Sequence, residues 1–182
     1  MIFRFLDIVF SLCGLVILLP LFLIVFFLGL FDTGSPLFIQ KRVGIEKKPF
    51  NLIKFRTMSI ETKSVASHLA STANITRLGR VLRKTKLDEL PQLINVLVGS
   101  MSFVGPRPNL FDQSELINCR DIMGVYKVKP GITGLAQINN IDMSTPEILA
   151  KVDSEMIQGM SLENYFKYIM KTVTGSGSGD AI

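Results

Sequence analysis

The sequence predicts an α+β fold, mainly helical, with a broken N-terminal membrane helix, interfacial amphipathic helices and one small β-hairpin. Three observations carry that reading. An uncharged stretch of 24 residues runs from Ile8 to Phe31, with Pro20 at its middle. Two short alternating runs flank a turn cluster between Gly44 and Pro49. Elsewhere, apolar residues recur at intervals of three and four, the period of one helical face.

The stretch from Ile8 to Phe31, bounded by Asp7 and Asp32, is long enough to cross a bilayer once. Only Arg4 precedes it and no small-x-small site closes it, which argues against a cleavable signal peptide. Pro20 lacks the backbone N–H and its ring presses on the carbonyl four residues earlier, so the helix kinks or breaks there. Each half is then about 12 residues, or roughly 18 Å, close to one leaflet. Basic residues flank both ends, Arg4 before and Lys41, Arg42, Lys47 and Lys48 after. Keeping both flanks in the cytoplasm requires a segment that enters and leaves on one face. Proline and charge alone leave this re-entrant form and a kinked single crossing both open.

Beyond that segment about 150 residues remain, enough for one real core. A net charge of +5, a pI near 9.3 and a mean hydropathy of +0.39 suit an anionic membrane surface or phosphate-bearing substrates. No RNA-stacking or zinc motif is present, so nucleic acid is not the expected partner. Two cysteines far apart, Cys13 and Cys119, give neither a disulfide framework nor a thiolate metal site, and point to a reducing, cytoplasmic setting. His68 is the one histidine, in a Ser- and Ala-rich stretch, which argues against a histidine metal centre or a Ser-His-Asp triad.

After the turn Thr33-Gly34-Ser35-Pro36, the runs around Gly44 to Pro49 read as two strands. Lys54 and Arg56 on the second are either an exposed strand face or phosphate contacts. Glu61 to Asn74 has no sustained period and reads as a mobile loop. Arg77, Arg80, Arg83 and Lys84, with Leu78, Val81 and Leu82 between them, form a basic amphipathic helix suited to anionic headgroups. Next, Asp88 and Glu89 precede Leu90, Leu93, Ile94 and Leu97, which share one helical face, with Pro91 in the first turn and Gly99 closing the helix.

The acids therefore stand at a helix start. Either Asp88 is an N-cap and Glu89 a first-turn acid, or the two carboxylates share a divalent cation with a bound phosphate. Gly105-Pro106-Arg107-Pro108 makes a rigid turn carrying one guanidinium, suited to forked contacts with phosphate. Leu110 to Ile122 reads as a helix, and Gly131 and Gly134 around Thr133 as a tight loop passing close to a ligand. Thr145 to Gln158, with a threonine cap and Pro146 at its first position, and Leu162 to Val173 read as two more helices. The tail from Gly175 has linker composition.

Three motifs, L-D-E-L-P-Q-L from Leu87, M-S-F-V-G-P-R-P from Met101 and P-G-I-T-G-L-A-Q from Pro130, occur in that order. Together they resemble the bacterial sugar transferase family, the monotopic phosphoglycosyl transferases that begin lipid-linked glycan assembly. The resemblance runs from the apolar segment to about Gln137. It implies a re-entrant membrane helix over residues 1–32, a catalytic domain over 33–174 and a flexible tail over 175–182, at the cytoplasmic face of the bacterial inner membrane.

The implied reaction moves a phosphosugar from a nucleoside diphosphate sugar, usually a uridine one, to polyprenol phosphate. In it Asp88 is the nucleophile, Glu89 holds Mg2+ and Arg107 holds the diphosphate, with Lys54, Arg56, Lys129, Thr133 and Gln137 as further substrate contacts. The chain departs from the family pattern in four places. Leu19-Pro20 replaces a common Ser-Pro, Lys129 replaces arginine, and Ile138-Asn139-Asn140-Ile141 replaces Asn-Gly-Arg. Asp153 is present without the family's paired tyrosines beside it. The rival readings are a membrane-anchored binding protein without activity, a metal-dependent sugar-nucleotide hydrolase, and a glycosyl transferase that releases nucleoside diphosphate.

Overall fold

In the computed structural model, which describes residues 1–62 and 74–175, the N-terminal segment forms two helices. These are α1 (Ile2–Ile17) and α2 (Leu19–Thr33), bent by 64° at a break on Leu18. The break precedes Pro20, which falls in the first turn of α2, where its missing N–H has no intrahelical partner to lose. The helices also start earlier than the uncharged stretch suggests. They have 16 and 15 residues rather than the expected halves of about 12. The reason is that Arg4, Asp7, Ser11 and Gly14 recur at three, four and three residues and form a stripe facing the protein.

Arg4 Nη1 and Nη2 donate to the carbonyls of Val96 and Leu97 at 2.5 and 2.7 Å. Asp7 Oδ1 accepts from Ser102 Oγ, Phe103 N and Tyr165 Oη at 2.9 to 3.0 Å. The charges that precede the apolar run are thus its interior attachments, while Asp32 at its other end is exposed. On the other side Phe5, Leu12 and Val16 of α1 and Leu23, Phe27 and Phe31 of α2 are exposed. No single helix among the described residues is long and apolar enough to cross a membrane.

The predicted hairpin is present: β1 (Leu37–Val43) pairs antiparallel with β2 (Pro49–Phe55). The basic helix is α3 (Arg77–Thr85), capped by Thr76 through the N–H of Gly79. A Cβ on Gly79 would lie 2.0 Å from the Thr57 carbonyl oxygen, so only glycine lets α3 come this close to the chain after β2. Arg77, Arg80, Val81 and Lys84 are exposed, giving the basic outward face that the spacing predicts.

The acid pair does not cap an α-helix. Asp88 and Glu89 belong to a 3₁₀ turn, Leu87–Glu89, and α4 (Gln92–Val98) begins after Pro91, with no side-chain cap. Gly99 ends α4 at φ 89°, as a helix-closing glycine should. Where the sequence reads a tight ligand loop around Thr133, the structure has a strand in a parallel pair, β3 (Ser102–Val104) beside β4 (Gly131–Thr133).

Between them α5 (Ser114–Ile122) starts four residues later than expected, because the Gln113 side chain takes the Leu110 N–H and holds Leu110 to Gln113 in a turn. Then come α6 (Leu135–Ile138), α7 (Pro146–Gln158) and α8 (Leu162–Val173). The last two keep the predicted bounds, although Thr145 makes no side-chain cap bond. Val104, Ile138, Met156, Tyr165 and Tyr168 form a core joined by Phe3, Leu6 and Phe10 of α1, and Val25 of α2 packs on Phe55 and Leu82. The stretch from Glu61 to Asn74, expected as a loop and carrying His68, lies mostly outside the described residues, and so does the tail beyond Gly175.

Candidate active site

Three separate segments meet at Glu89. Its Oε1 accepts from Lys54 Nζ on β2 at 3.1 Å and from Arg107 Nη2 at 3.3 Å. Asp88, next to it, is 4% exposed. Glu89, Lys54 and Arg107 line one small pocket together with Arg42, Gln92 and Gly131.

The backbone explains how they converge. Asn95 of α4 bridges to β2, with Oδ1 accepting from Ile53 N at 3.0 Å and Nδ2 donating to the Asn51 carbonyl at 2.7 Å. That clamp fixes Lys54 relative to the acid pair. The turn bearing Arg107 is held from two sides: Arg42 Nη1 donates to the Pro108 carbonyl at 3.1 Å and Arg120 Nη1 to the Arg107 carbonyl at 2.8 Å.

Arg120 is 1% exposed and anchors a buried network. Its Nε and Nη2 reach Asp153 Oδ2 at 3.0 and 2.7 Å, while Asn109 Oδ1 accepts from both Arg120 Nη1 and Tyr126 Oη. Burial raises the Asp153 carboxyl above its ordinary range, against the lowering pull of Arg120. Burial likewise raises the Tyr126 hydroxyl. Arg42 and Arg120 were not singled out as site residues from sequence; Arg42 stands beside Lys41 on β1, Arg120 is the one cation of α5, and the carbonyls that they hold come from the Arg107 turn, outside either element.

The glycines of P-G-I-T-G serve a close approach within the protein. A Cβ on Gly131 would lie 2.1 Å from Gly105 N, and one on Gly134 2.6 Å from the Gly105 carbonyl oxygen. Gly105 N donates to the Thr133 carbonyl and Gly131 N to that of Pro106, both at 2.9 Å. Gly131→Ala should force β3 and β4 apart and shift the Arg107 turn. The expected loss is about 1–3 kcal/mol of stability, the usual range for overpacking, read as a lower melting temperature together with reduced activity.

Among the predicted substrate contacts, Lys54 and Arg107 meet Glu89; the others are placed differently. Arg56 donates to the carbonyls of Ser35 and Leu37 and lies over the Phe38 ring, tying down the link from α2 to β1. The hydroxyl of Thr133 shares a hydrogen bond with that of Thr172 on α8. The Gln137 amide is buried without a partner among the described residues. Lys129 lines a different cavity, beside Arg4.

No group of three or more His, Cys, Asp or Glu side chains able to hold a metal occurs among the described residues. An all-protein cage is therefore not offered. Adjacent Asp88 and Glu89 do fit Mg2+, which is commonly held by one or two carboxylates with the remaining positions taken by water and substrate phosphates.

The profile of the bacterial sugar transferase family matches residues 1–177. The sugar transferase EpsL of Bacillus subtilis is 43% identical over 141 residues, covering 77% of this chain and 69% of that one. The UDP-glucose:undecaprenyl-phosphate glucose-1-phosphate transferase of Klebsiella pneumoniae is 37% identical over 178 residues, 92% of this chain and 38% of its own. The undecaprenyl-phosphate galactose phosphotransferase of Salmonella typhimurium is 35% identical over 189 residues, 93% and 39% respectively. This chain thus spans about two fifths of the length of the latter two proteins. With its profile match running from the first turn of α1 past the end of α8, the chain belongs to the bacterial sugar transferase family.

Proposed function

We propose that the chain is a phosphoglycosyl transferase, moving a phosphosugar from a uridine diphosphate sugar to polyprenol phosphate at the cytoplasmic face of the bacterial inner membrane. The carrying observation is the Glu89 carboxylate between Lys54 and Arg107, directly beside Asp88. A carboxylate pair set among cations matches the demands of phosphoryl transfer, which needs charge neutralisation and in-line positioning more than covalent machinery. The names of the Klebsiella and Salmonella relatives support the substrate classes.

In the first step an Asp88 carboxylate oxygen attacks the sugar-linked phosphorus. The bond from that phosphorus to the bridging oxygen breaks, and nucleoside monophosphate leaves with the electron pair. In the second step an oxygen of polyprenol phosphate attacks the same phosphorus and Asp88 leaves, yielding polyprenol diphosphate sugar and free enzyme. Lys54 and Arg107, which pair with Glu89, turn toward the diphosphate when it enters. Mg2+ held by Glu89 and the diphosphate would offset the repulsion between Asp88 and the anionic donor.

The test is incubation with a panel of uridine diphosphate sugars and polyprenol phosphate. Release of nucleoside monophosphate with a diphosphate-linked sugar on the lipid is expected. Nucleoside diphosphate, or phosphosugar freed into water, would overturn the reading in favour of another reaction. Glu89→Gln should slow the reaction and raise the Mg2+ concentration it needs, since a neutral amide is a poorer ligand for a hard cation.

The exposed apolar faces of α1 and α2, bent at Leu18, support a helix pair that enters and leaves the bilayer on one side. Single cysteines at Ile2 and Lys47, in a chain lacking Cys13 and Cys119, should both be labelled from the cytoplasmic face. Labels on opposite faces would sink the re-entrant topology. Pro20→Leu restores an N–H and should favour a straight, spanning helix, moving one label across.

A further inference from the structure

A cavity of about 290 Å³ lies between the start of α1, the turn before β4, and the facing side chains of α7 and α8. That is near the lower end of ligand pockets, which run from about 300 to 1,000 Å³. Phe3, Val104, Met156, Ile157 and Met160 give it an apolar wall. At one side stand two cations, Arg4 and Lys129, both within 3.3 Å of the position a Cβ on Gly99 would occupy.

Arg4 spends two donors on the Val96 and Leu97 carbonyls and keeps others. Lys129 Nζ makes no hydrogen bond or salt bridge among the described residues. Burial and the neighbouring Arg4 lower its pKa, which is the condition an anion would relieve. The third charge is Asp7, whose Oδ1 already accepts three hydrogen bonds. With Met1 also at the rim, the lining of Arg4, Lys129 and Asp7 is net positive.

The geometry points to a bound phospholipid: the phosphodiester of an anionic glycerophospholipid lies between Arg4 and Lys129, with part of an acyl chain along Met156, Ile157 and Met160. The cavity lies at the N-terminal end of α1, whose apolar outer face lies alongside, so a lipid of the same leaflet has a lateral route to it. The negative charge of a phosphodiester suits this net positive lining. The phosphate of polyprenol phosphate has its place beside Asp88 in the proposed reaction. This cavity shares no lining residue with the pocket of Glu89. The backbones of Gly105 and Gly131, one lining each pocket, are packed against one another with no room for even a Cβ.

The inference rests on the proposed membrane position of α1 and α2, and native mass spectrometry tests it on the full chain. The chain is extracted in mixed micelles with equal phosphatidylcholine and phosphatidylglycerol. One retained phosphatidylglycerol per chain is expected. Lys129→Gln should weaken retention about tenfold, the cost of one charge-assisted contact. Met160→Trp, which fills the cavity, should abolish it. Because Lys129 Nζ has no hydrogen-bonding partner among the described residues, its variant should melt where the wild type does, and this is checked by circular dichroism.

Retention unchanged by both variants would place the lipid elsewhere and overturn the inference. Displacement of phosphatidylglycerol by stoichiometric polyprenol phosphate would also overturn it, by making the cavity the acceptor's. Equal retention of neutral and anionic lipid would sink this inference alone, whereas failure to bind either would sink the membrane position beneath it.

Discussion

Asp88→Asn should abolish turnover while barely moving the melting temperature. The two side chains have nearly the same shape, and Asp88 is 4% exposed, so there is little room for a replacement of another size. The acid is not the N-cap of α4, whose cap position is Pro91, so the start of α4 does not rest on its charge. Asparagine keeps one acceptor oxygen and loses the attacking one. Loss of a covalent nucleophile costs on the order of 10³-fold or more in rate, against roughly 1 kcal/mol of stability for a changed hydrogen bond. With donor sugar nucleotide and no lipid, the wild type should give a burst of nucleoside monophosphate of at most one per chain, with a phosphosugar mass on the peptide containing Asp88. An active Asp88→Asn enzyme, or an adduct on another residue, would remove the two-step route and leave direct transfer.

Arg120→Met should be the most damaging single change to the fold. It leaves Asp153, fully buried, without its cation, and strips a donor each from Asn109 and the Arg107 carbonyl. Breaking one partner of a buried pair costs about 3–5 kcal/mol. Arg120→Met with Asp153→Leu should recover part of that, because the uncompensated charge is gone, yet stay less active, because the Arg107 turn is still released.

The pH dependence of the single variant has a definite sign. Burial already raises the Asp153 carboxyl, and Arg120 is what lowers it. Without Arg120 the folded chain binds that proton more tightly than the unfolded chain. Stability of Arg120→Met should therefore fall as pH rises above the ordinary carboxylate range. Thermal melts across the acidic range would show it, and a flat profile would mean that water reaches Asp153.

The parts of the fold legible in the sequence are those set by neighbours along the chain. The hairpin across Gly44 to Pro49, the left-handed close at Gly99 and the bounds of α8 all follow from local turn chemistry and period. The β3–β4 pair is three residues on each side, held by glycines 26 apart in the chain, and three residues show no period. Asp7, Arg42 and Arg120 carry charges that read as surface, and become interior only because their partners arrive from distant elements. For the site, the acid pair and Arg107 were visible as motifs. That Lys54 reaches Glu89 while Arg56 does not depends on the hairpin's seat on α4, which alternation along one strand does not encode.

On the proposed membrane position of α1, the grip of Arg4 on the Val96 and Leu97 carbonyls would make α4 a strut between bilayer and chemistry. It is seven residues, about 10 Å, long. Its far end is held by α1, and its near end follows on the turn of Asp88 and Glu89. The depth and tilt of α1 among the lipids would then bear on the position of both carboxylates. Membrane thickness would become a coordinate of the proposed reaction centre rather than a property of its surroundings.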